Sequence, residues 1–400
     1  MLVIKNGYIV EDNKLIKKDI LVSEGKIVSI ENSIEGEYEV LDAQGCLIIP
    51  GAVDVHVHLR EPGFEKKETI LTGTKSAAKG GVTTIMPMPN LNPCPDNKEA
   101  LLKQLEIINK DSLVKAYPYA SLSVNEGDKT LSDIEGMHQL IKAITDDGRG
   151  VNNLSLLEEA MKIAKKYDLV IASHAEDNYY KTSPEGEYIA VRREIELAKK
   201  IGCRYHFCHM STKESFEAIR KARSEGYTNI TCEVAPHHLV LNEEMIQNAN
   251  WKMNPPLRSE EDRLETLKAL LDGTAQVIAS DHAPHTEEEK SMEYSKAPNG
   301  IIGLETMIPL IYTEFVMTKK ISLEKFLEVL VYNPLKIFNL PKHGMYVGSP
   351  CDLAILDIEN PHTYTKEEIL SKGKNSPFIG RSYYGFTKFT LVDGRIVYKA

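Results

Sequence analysis

The sequence predicts an α/β protein, a (β/α)8 TIM barrel accompanied by a smaller β-sandwich-like domain formed by both chain termini. Three observations carry this expectation. Across residues 51–343, eight short apolar strand candidates alternate with amphipathic helices, the pattern of a parallel sheet closed by eight βα units. Short strands broken by turns crowd both ends of the chain. Two histidines and an arginine occupy alternate positions at the end of the first central strand, the edge on which such barrels keep their chemistry.

At the amino end, Val3-Ile4 runs into a turn at Asn6-Gly7, and Tyr8-Ile9-Val10 follows. Ile20-Leu21-Val22 and Ile27-Val28 flank Glu24-Gly25, and Leu47-Ile48-Ile49 closes the series. The same texture returns in 352–356 and 389–398. One small β domain made of residues 1–50 and 344–400 is therefore expected, with the barrel, 51–343, inserted between its halves. The eight barrel strands are expected at 53–59, 83–89, 114–120, 143–146, 169–174, 205–208, 229–234 and 276–280. Between them, 69–79 reads as a helix stopped by Gly80-Gly81, a glycine cap. Ser155 with Glu158 reads as a capping box ahead of Ala160, Met161, Ile163 and Ala164. A doubly wound sheet is the competing fold, but no Gly-x-Gly-x-x-Gly or phosphate-loop motif follows a strand.

Composition narrows the function. A barrel of about 250 residues plus a small module accounts for the length. With 42% hydrophobic and 26% charged residues the chain cannot be largely disordered. A net charge of −10 argues against a nucleic-acid surface, so an anionic ligand would need a local basic pocket. Six scattered cysteines without a Cys-x-x-Cys pair suggest neither a zinc ribbon nor a disulfide framework, and point to a reducing compartment. No signal-like apolar region and no 18-residue apolar run occurs, so a soluble cytoplasmic protein with no membrane association is expected.

The chemistry concentrates at the carboxyl ends of the strand candidates. In Val53-Asp54-Val55-His56-Val57-His58-Leu59-Arg60-Glu61-Pro62-Gly63, an extended strand sets His56, His58 and Arg60 on one face. Strand four ends in Asp146-Asp147, strand five in His174, strand six in His209 and strand eight in Asp281. So many nitrogen and carboxylate donors exceed one tetrahedral zinc, and two metal ions sharing a carboxylate fit better. Buried, hydrogen-bonded histidines without a metal are the competing reading for any one of them. Alternation turns Cys208 away from His209 and His282 away from Asp281, which assigns Cys208 to packing and His282 to an outer shell. His206, His237, His238 and His343 receive no functional role. Spacing alone leaves Asp146 and Asp147 nearly even as the shared carboxylate.

Seven motifs in order carry a family resemblance: His56-Val57-His58-Leu59-Arg60-Glu61-Pro62-Gly63, Met88-Pro89-Asn90, Thr145-Asp146-Asp147-Gly148, Ser173-His174-Ala175-Glu176-Asp177, Cys208-His209-Met210-Ser211-Thr212, Lys252-Met253-Asn254-Pro255-Pro256-Leu257-Arg258 and Ser280-Asp281-His282-Ala283-Pro284-His285. Across essentially the full chain, the sequence resembles the type I dihydroorotases of the cyclic amidohydrolase superfamily. The resemblance implies two zinc ions, one held by His56, His58 and Asp281 and the other by His174 and His209, bridged by Asp147. It implies substrate contacts from His58, Arg60, Asn90, Asn254, His285, Asn299 and Gly300. It also implies reversible cyclisation of N-carbamoyl-L-aspartate to dihydroorotate, with Asp281 as general base and then general acid toward a metal-activated water. A complex with aspartate transcarbamoylase occurs among such relatives, and both that complex and a homo-oligomer are left open here. An allantoinase, a dihydropyrimidinase or a non-catalytic scaffold on the same fold are the alternatives. Two departures from the usual pattern, a shorter stretch between His174 and His209 and Pro93-Cys94-Pro95 after Asn90, touch loops near the mouth. The segment 286–296, rich in Glu and Lys, is expected to act as a lid.

Overall fold

The computed structural model describes residues 1–400. Five strands come first: β1 (Leu2–Glu11), β2 (Lys14–Ser23), β3 (Lys26–Glu31), β4 (Glu39–Asp42) and β5 (Cys46–Pro50). Nine short strands follow: β6 (Ala52–Val57), β7 (Val82–Pro87), β8 (Lys115–Ala116), β9 (Ala120–Ser121), β10 (Ala143–Thr145), β11 (Val170–Ser173), β12 (Arg204–Phe207), β13 (Ile230–Val234) and β14 (Val277–Ile278). The carboxyl end adds β15 (Leu353–Asp357), β16 (His362–Thr363), β17 (Ser382–Tyr383), β18 (Phe386–Val392) and β19 (Arg395–Lys399).

Strands from both ends join in one eight-stranded sheet of order β19-β18-β15-β5-β1-β2-β3, with β4 paired to β1. Its sides face two cores, because neighbouring residues of a strand point oppositely. Ile48 and Ile355 belong to a cluster of 13 buried residues enclosed by the sheet itself. Leu47 and Leu356, one step along, belong to the 86-residue cluster shared with the central strands and helices. The turn expected at Asn6-Gly7 does not form. The pair makes a bulge inside β1, where the register with β2 shifts and Asn6 takes φ +65°. Glu24-Gly25, both at positive φ, does turn β2 into β3.

The central strands are parallel, in two sheets of order β6-β7-β8 and β9-β10-β11-β12-β13-β14. Sequential order without a reversal excludes the doubly wound alternative. The strand expected at 114–120 is two short strands with Pro118, which has no N–H, between them. The backbone nonetheless stays on β7, since the N–H groups of Tyr117 and Tyr119 donate to the carbonyls of Ile85 (3.0 Å) and Pro87 (2.9 Å). At the other edge, Val57 bridges His282 in parallel, and the His58 N–H donates to the His282 carbonyl at 2.8 Å.

The helices behave as their caps dictate. Ile70–Lys79 starts at a reciprocal Thr69/Thr72 box and stops at Gly80, after which Gly81 takes φ +76°. Leu154–Lys166 is capped by Asn153, whose side chain accepts from the Leu156 N–H. Ser155 therefore sits inside that helix, and the expected Ser155/Glu158 box is not the cap. No helix is long and apolar enough to cross a membrane.

Candidate active site

The polar residues at the carboxyl ends of the central strands converge. Asp147, just beyond β10, faces four imidazoles: its Oδ1 lies 3.3 Å from His56 Nε2, 3.6 Å from His209 Nε2 and 3.7 Å from His174 Nδ1, and its Oδ2 lies 3.4 Å from His58 Nε2. Asp281 Oδ1 stands 3.2 Å from His58 Nε2 and 3.6 Å from His56 Nε2. Two buried triads of donor atoms, His56-His58-Asp147 and Asp147-His174-His209, each fall within 4.8 Å and share Asp147. Asp146, its neighbour, turns the other way and accepts from the N–H groups of Leu122 and Ser123 at 2.8 and 2.9 Å.

The extended-strand argument fails locally at this rim. β6 ends at Val57, His58 and Arg60 lie beyond it, and Arg60, His209 and Asp281 all adopt positive φ. Such left-handed non-glycine residues cost of order 1–3 kcal/mol each and persist where surrounding contacts over-determine them. Arg60 reaches the same cavity as His58 through that twist rather than through strict alternation.

The electrostatics of the cluster suit a cation. Burial alone would raise the Asp147 carboxyl, but His56 and the other imidazoles hold it well below the usual carboxylate range. Burial likewise opposes ionisation of Asp281, and His58 and His56 overcome it. His56 is driven the other way: burial lowers its pKa, and Asp147 and Glu233 push it well above the ordinary value. His58 is lowered by burial and by Arg60. His56 Nε2 and Asp147 Oδ1 are buried, face each other and make no hydrogen bond. A buried polar atom without a partner is expensive, and a divalent ion between imidazole and carboxylate removes that cost. The donors present in both triads therefore fit a metal.

Above the cluster opens a cavity of about 410 Å³ lined by His58, Arg60, Asn90, Asp147, His174, Asn254, Asp281, Asn299 and Gly300. Arg60 has one main-chain contact in it, Nε to the Pro284 carbonyl at 3.4 Å. Asn90 Nδ2 donates to Glu126 Oε1 (2.8 Å) and to the Asp147 carbonyl (2.7 Å), while its buried Oδ1 has no partner. The free face of Asn90 is thus an acceptor. Asn254 Nδ2 is engaged with His174 Nε2 (3.2 Å) and Glu176 Oε2 (3.0 Å). His285 does not line the cavity: its Nε2 donates to the Asn299 carbonyl at 2.7 Å and its Nδ1 faces Glu289 and Lys67. At Gly300, φ +136°, a Cβ would lie 2.6 Å from the Ala283 carbonyl oxygen, so the close approach needs glycine.

Several residues without an expected role surround this site. Glu233, on β13, accepts from His56 Nδ1 at 2.7 Å, His206 Nε2 at 3.1 Å and the His209 N–H at 3.2 Å. Burial would raise its pKa, yet His56 and His206 hold it at about 2. A glutamate amid the apolar Ile230–Val234 is the signal that could have found it. Glu126, Lys67 and Arg149 also line the cavity, on turns and a single 3-10 turn that no periodicity marks. Burial, then the charges of Asp146 and Asp147, push the Glu126 carboxyl up to about 8. Cys208 packs beside His56 and Glu233 on the far side of the ring, its thiol pushed far up by burial. His282, as expected, stays outside the cluster, with Nδ1 accepting from the Gly303 N–H and Nε2 3.5 Å from Glu68.

Comparison with known proteins agrees with this geometry. A family model described as dihydro-orotase-like matches residues 45–184. A dihydroorotase of Listeria welshimeri is 44% identical over all of this chain and 99% of its own length, and one of Fusobacterium nucleatum is 42% identical over 99% and 98%. An L-hydantoinase (dihydropyrimidinase) structure from Arthrobacter aurescens matches with a TM-score of 0.89 at 26% identity, covering all of this chain and 96% of that one. The dihydropyrimidinase of Brevibacillus agri NCHU1002, at 23% identity and a TM-score of 0.88 over 99% and 95%, shows the shared fold. With such identity from end to end, the chain belongs to the dihydroorotase family of cyclic-amide hydrolases.

Proposed function

We propose that the protein interconverts N-carbamoyl-L-aspartate with (S)-dihydroorotate and water, in de novo pyrimidine (UMP) synthesis, as a two-zinc enzyme. His56, His58 and Asp281 would hold one ion, His174 and His209 the other, and Asp147 both. The observation that carries this reading is the single carboxylate of Asp147 within 3.7 Å of four imidazoles, directly beneath a cavity that presents Arg60.

When bound, the ions supply Lewis acidity toward the scissile carbonyl and lower the pKa of water to about 7. The chain's own residues do the rest. Asp281, held ionised by His58 and His56, is a proton acceptor at rest, as a general base must be. In ring opening it takes the proton of the attacking water and returns it to the departing amide nitrogen; in ring closure the order reverses. Arg60 can grip the substrate carboxylate through two parallel charge-assisted hydrogen bonds, which dihydrouracil and hydantoin cannot offer. Asn90, with its amide protons spent on Glu126 and Asp147, accepts an N–H of the substrate through Oδ1. Glu233 fixes the tautomer of His56 by accepting a hydrogen bond from its Nδ1–H, which leaves Nε2 free to ligate.

The same proposal reads β6 to β14 as eight staves of one (β/α)8 barrel, with β8 and β9 as a single interrupted stave. The Val57–His282 bridge and the Tyr117 and Tyr119 bonds to β7 support that closure. Residues 51–343 would form this domain, and 1–50 with 344–400 the small β domain. A cytoplasmic setting is supported by six buried free thiols. Sedimentation, alone and with aspartate transcarbamoylase added, would check self-association and a complex with that enzyme.

The test is metal analysis joined to an assay. The purified protein should contain close to two zinc ions and hydrolyse dihydroorotate, lose activity on chelation and regain it with zinc. Metal-replete protein that is inert toward dihydroorotate, or prefers allantoin or dihydrouracil, would overturn the substrate assignment.

A further inference from the structure

Lys290 closes a short helix, Glu287–Lys290, that follows His285, and it is 8% exposed. Its Nζ donates to the carbonyls of Ala249 at 2.9 Å, Lys252 at 3.1 Å and Pro298 at 2.9 Å. An ammonium has three N–H groups, and here each meets a main-chain acceptor. Those carbonyls belong to two segments that each carry cavity residues, the one leading into Asn254 and the one leading into Asn299-Gly300. Lys252 answers in the opposite direction: its Nζ donates to the carbonyls of Ser295 (3.1 Å) and Ala297 (2.7 Å), and its own carbonyl also accepts the Gly300 N–H at 2.9 Å. The 286–297 segment is therefore stitched down by lysines, while Glu287, Glu288 and Glu293 face solvent.

We propose that Lys290 is a positioning residue for the substrate cavity, fastening the segment after His285 to the two that carry Asn254 and Asn299-Gly300, so that these lining residues hold one spacing. The proposal rests on the reading that this cavity takes dihydroorotate. The segment expected from sequence to be a lid is on this account tethered, with Lys290 as its tether. Burial and the charge of Lys252 pull the Lys290 pKa down to about 7, and three carbonyl acceptors favour the charged form against that pull. A neutral side chain of similar length reaches the same place but leaves carbonyls buried without a donor.

Two variants test it. Lys290→Met keeps the stem and removes all three donors; Lys290→Gln offers two. In the metal-replete protein, Lys290→Met should raise KM for dihydroorotate about tenfold with kcat changed less than about threefold, and Lys290→Gln should fall between it and the parent. Metal content should match the parent in both. Cleavage by a glutamate-specific protease within 286–297 should be about tenfold faster in Lys290→Met, because cleavage follows local opening. Unchanged KM, or a loss confined to kcat, overturns the proposal, and so does unchanged proteolysis. Should Lys290→Met not fold, the same two readouts on Lys290→Gln decide. The proteolysis arm needs no substrate: if the parent turns over no dihydroorotate, the cavity assignment fails and cleavage rates alone judge the tether.

Discussion

Ile48 and Ile355 pair across β5 and β15 and vanish into an apolar core, with Leu47 and Leu356 doing the same on the opposite side of the sheet. At the rim of the central strands burial is as complete, with His56 at 0% and His209 at 2% exposure, but the buried groups are imidazoles and carboxylates, some without a hydrogen-bond partner. The terminal sheet is thus stabilised by what it hides, about 25 cal/mol for each Å² of apolar surface. The rim does the reverse, and keeps polar atoms dry at a cost that only a bound cation and a substrate offset. Stability and chemistry are segregated in this chain, and substitutions should separate them.

The largest effect should come from Asp281→Asn, which keeps the shape and removes the base: kcat for dihydroorotate should fall by about 10²–10⁴ with the protein's melting temperature little changed. Arg60→Met should lower kcat/KM at least about a hundredfold, the loss of two charge-assisted bonds of about 1.5–3 kcal/mol each, with zinc content near normal. Turnover equal to the parent would remove Arg60 from the substrate site. Glu233→Gln breaks the link between His56, His206 and the His209 backbone, and zinc affinity measured by chelator competition should drop by about 10–100-fold.

A smaller effect concerns pH. Glu126 has its pKa raised to about 8, so it is neutral below that pH and anionic above it. As pH rises through about 8, the new charge beside Asn90 repels an anionic substrate, and KM for dihydroorotate should climb a few-fold. The Glu126→Gln variant should show a flat KM over the same range. The smallest effect on catalysis should be that of Ile355→Ala: unfolding free energy lower by about 2–5 kcal/mol, kcat/KM at 25 °C unchanged. A large catalytic loss there would break the segregation of the two regions.

Much of this was legible because period and chemistry coincide. Eight apolar runs alternating with helices announced parallel strands, and His56, His58, His174, His209 and Asp281 stood at their ends. What the period could not show was geometry past the last strand residue. Arg60, His209 and Asp281 twist into positive φ just there, so face assignments by alternation lose meaning. Pro118 split one expected strand, and Asn6-Gly7 made a bulge where a turn was expected, because pairing with β2 continues on both sides. Residues contributed by single helical turns, such as Glu126 and Lys290, carry no periodic mark; their roles arise from tertiary contacts that a linear reading does not contain. Between Asp146 and Asp147 the sequence was nearly even; in the fold Asp146 is spent on the backbone of Leu122 and Ser123, while Asp147 faces the imidazoles.

The pairing of Pro50 with Leu353 also has a consequence for biosynthesis. On the ribosome, β1 to β5 emerge well before β15 and cannot complete their sheet until Leu353–Asp357 has been translated. Throughout that interval β5 offers an unpaired hydrogen-bonding edge, the kind of surface that nascent chains use to stick to one another. Premature termination before Leu353 should accordingly yield insoluble product rather than a smaller active enzyme.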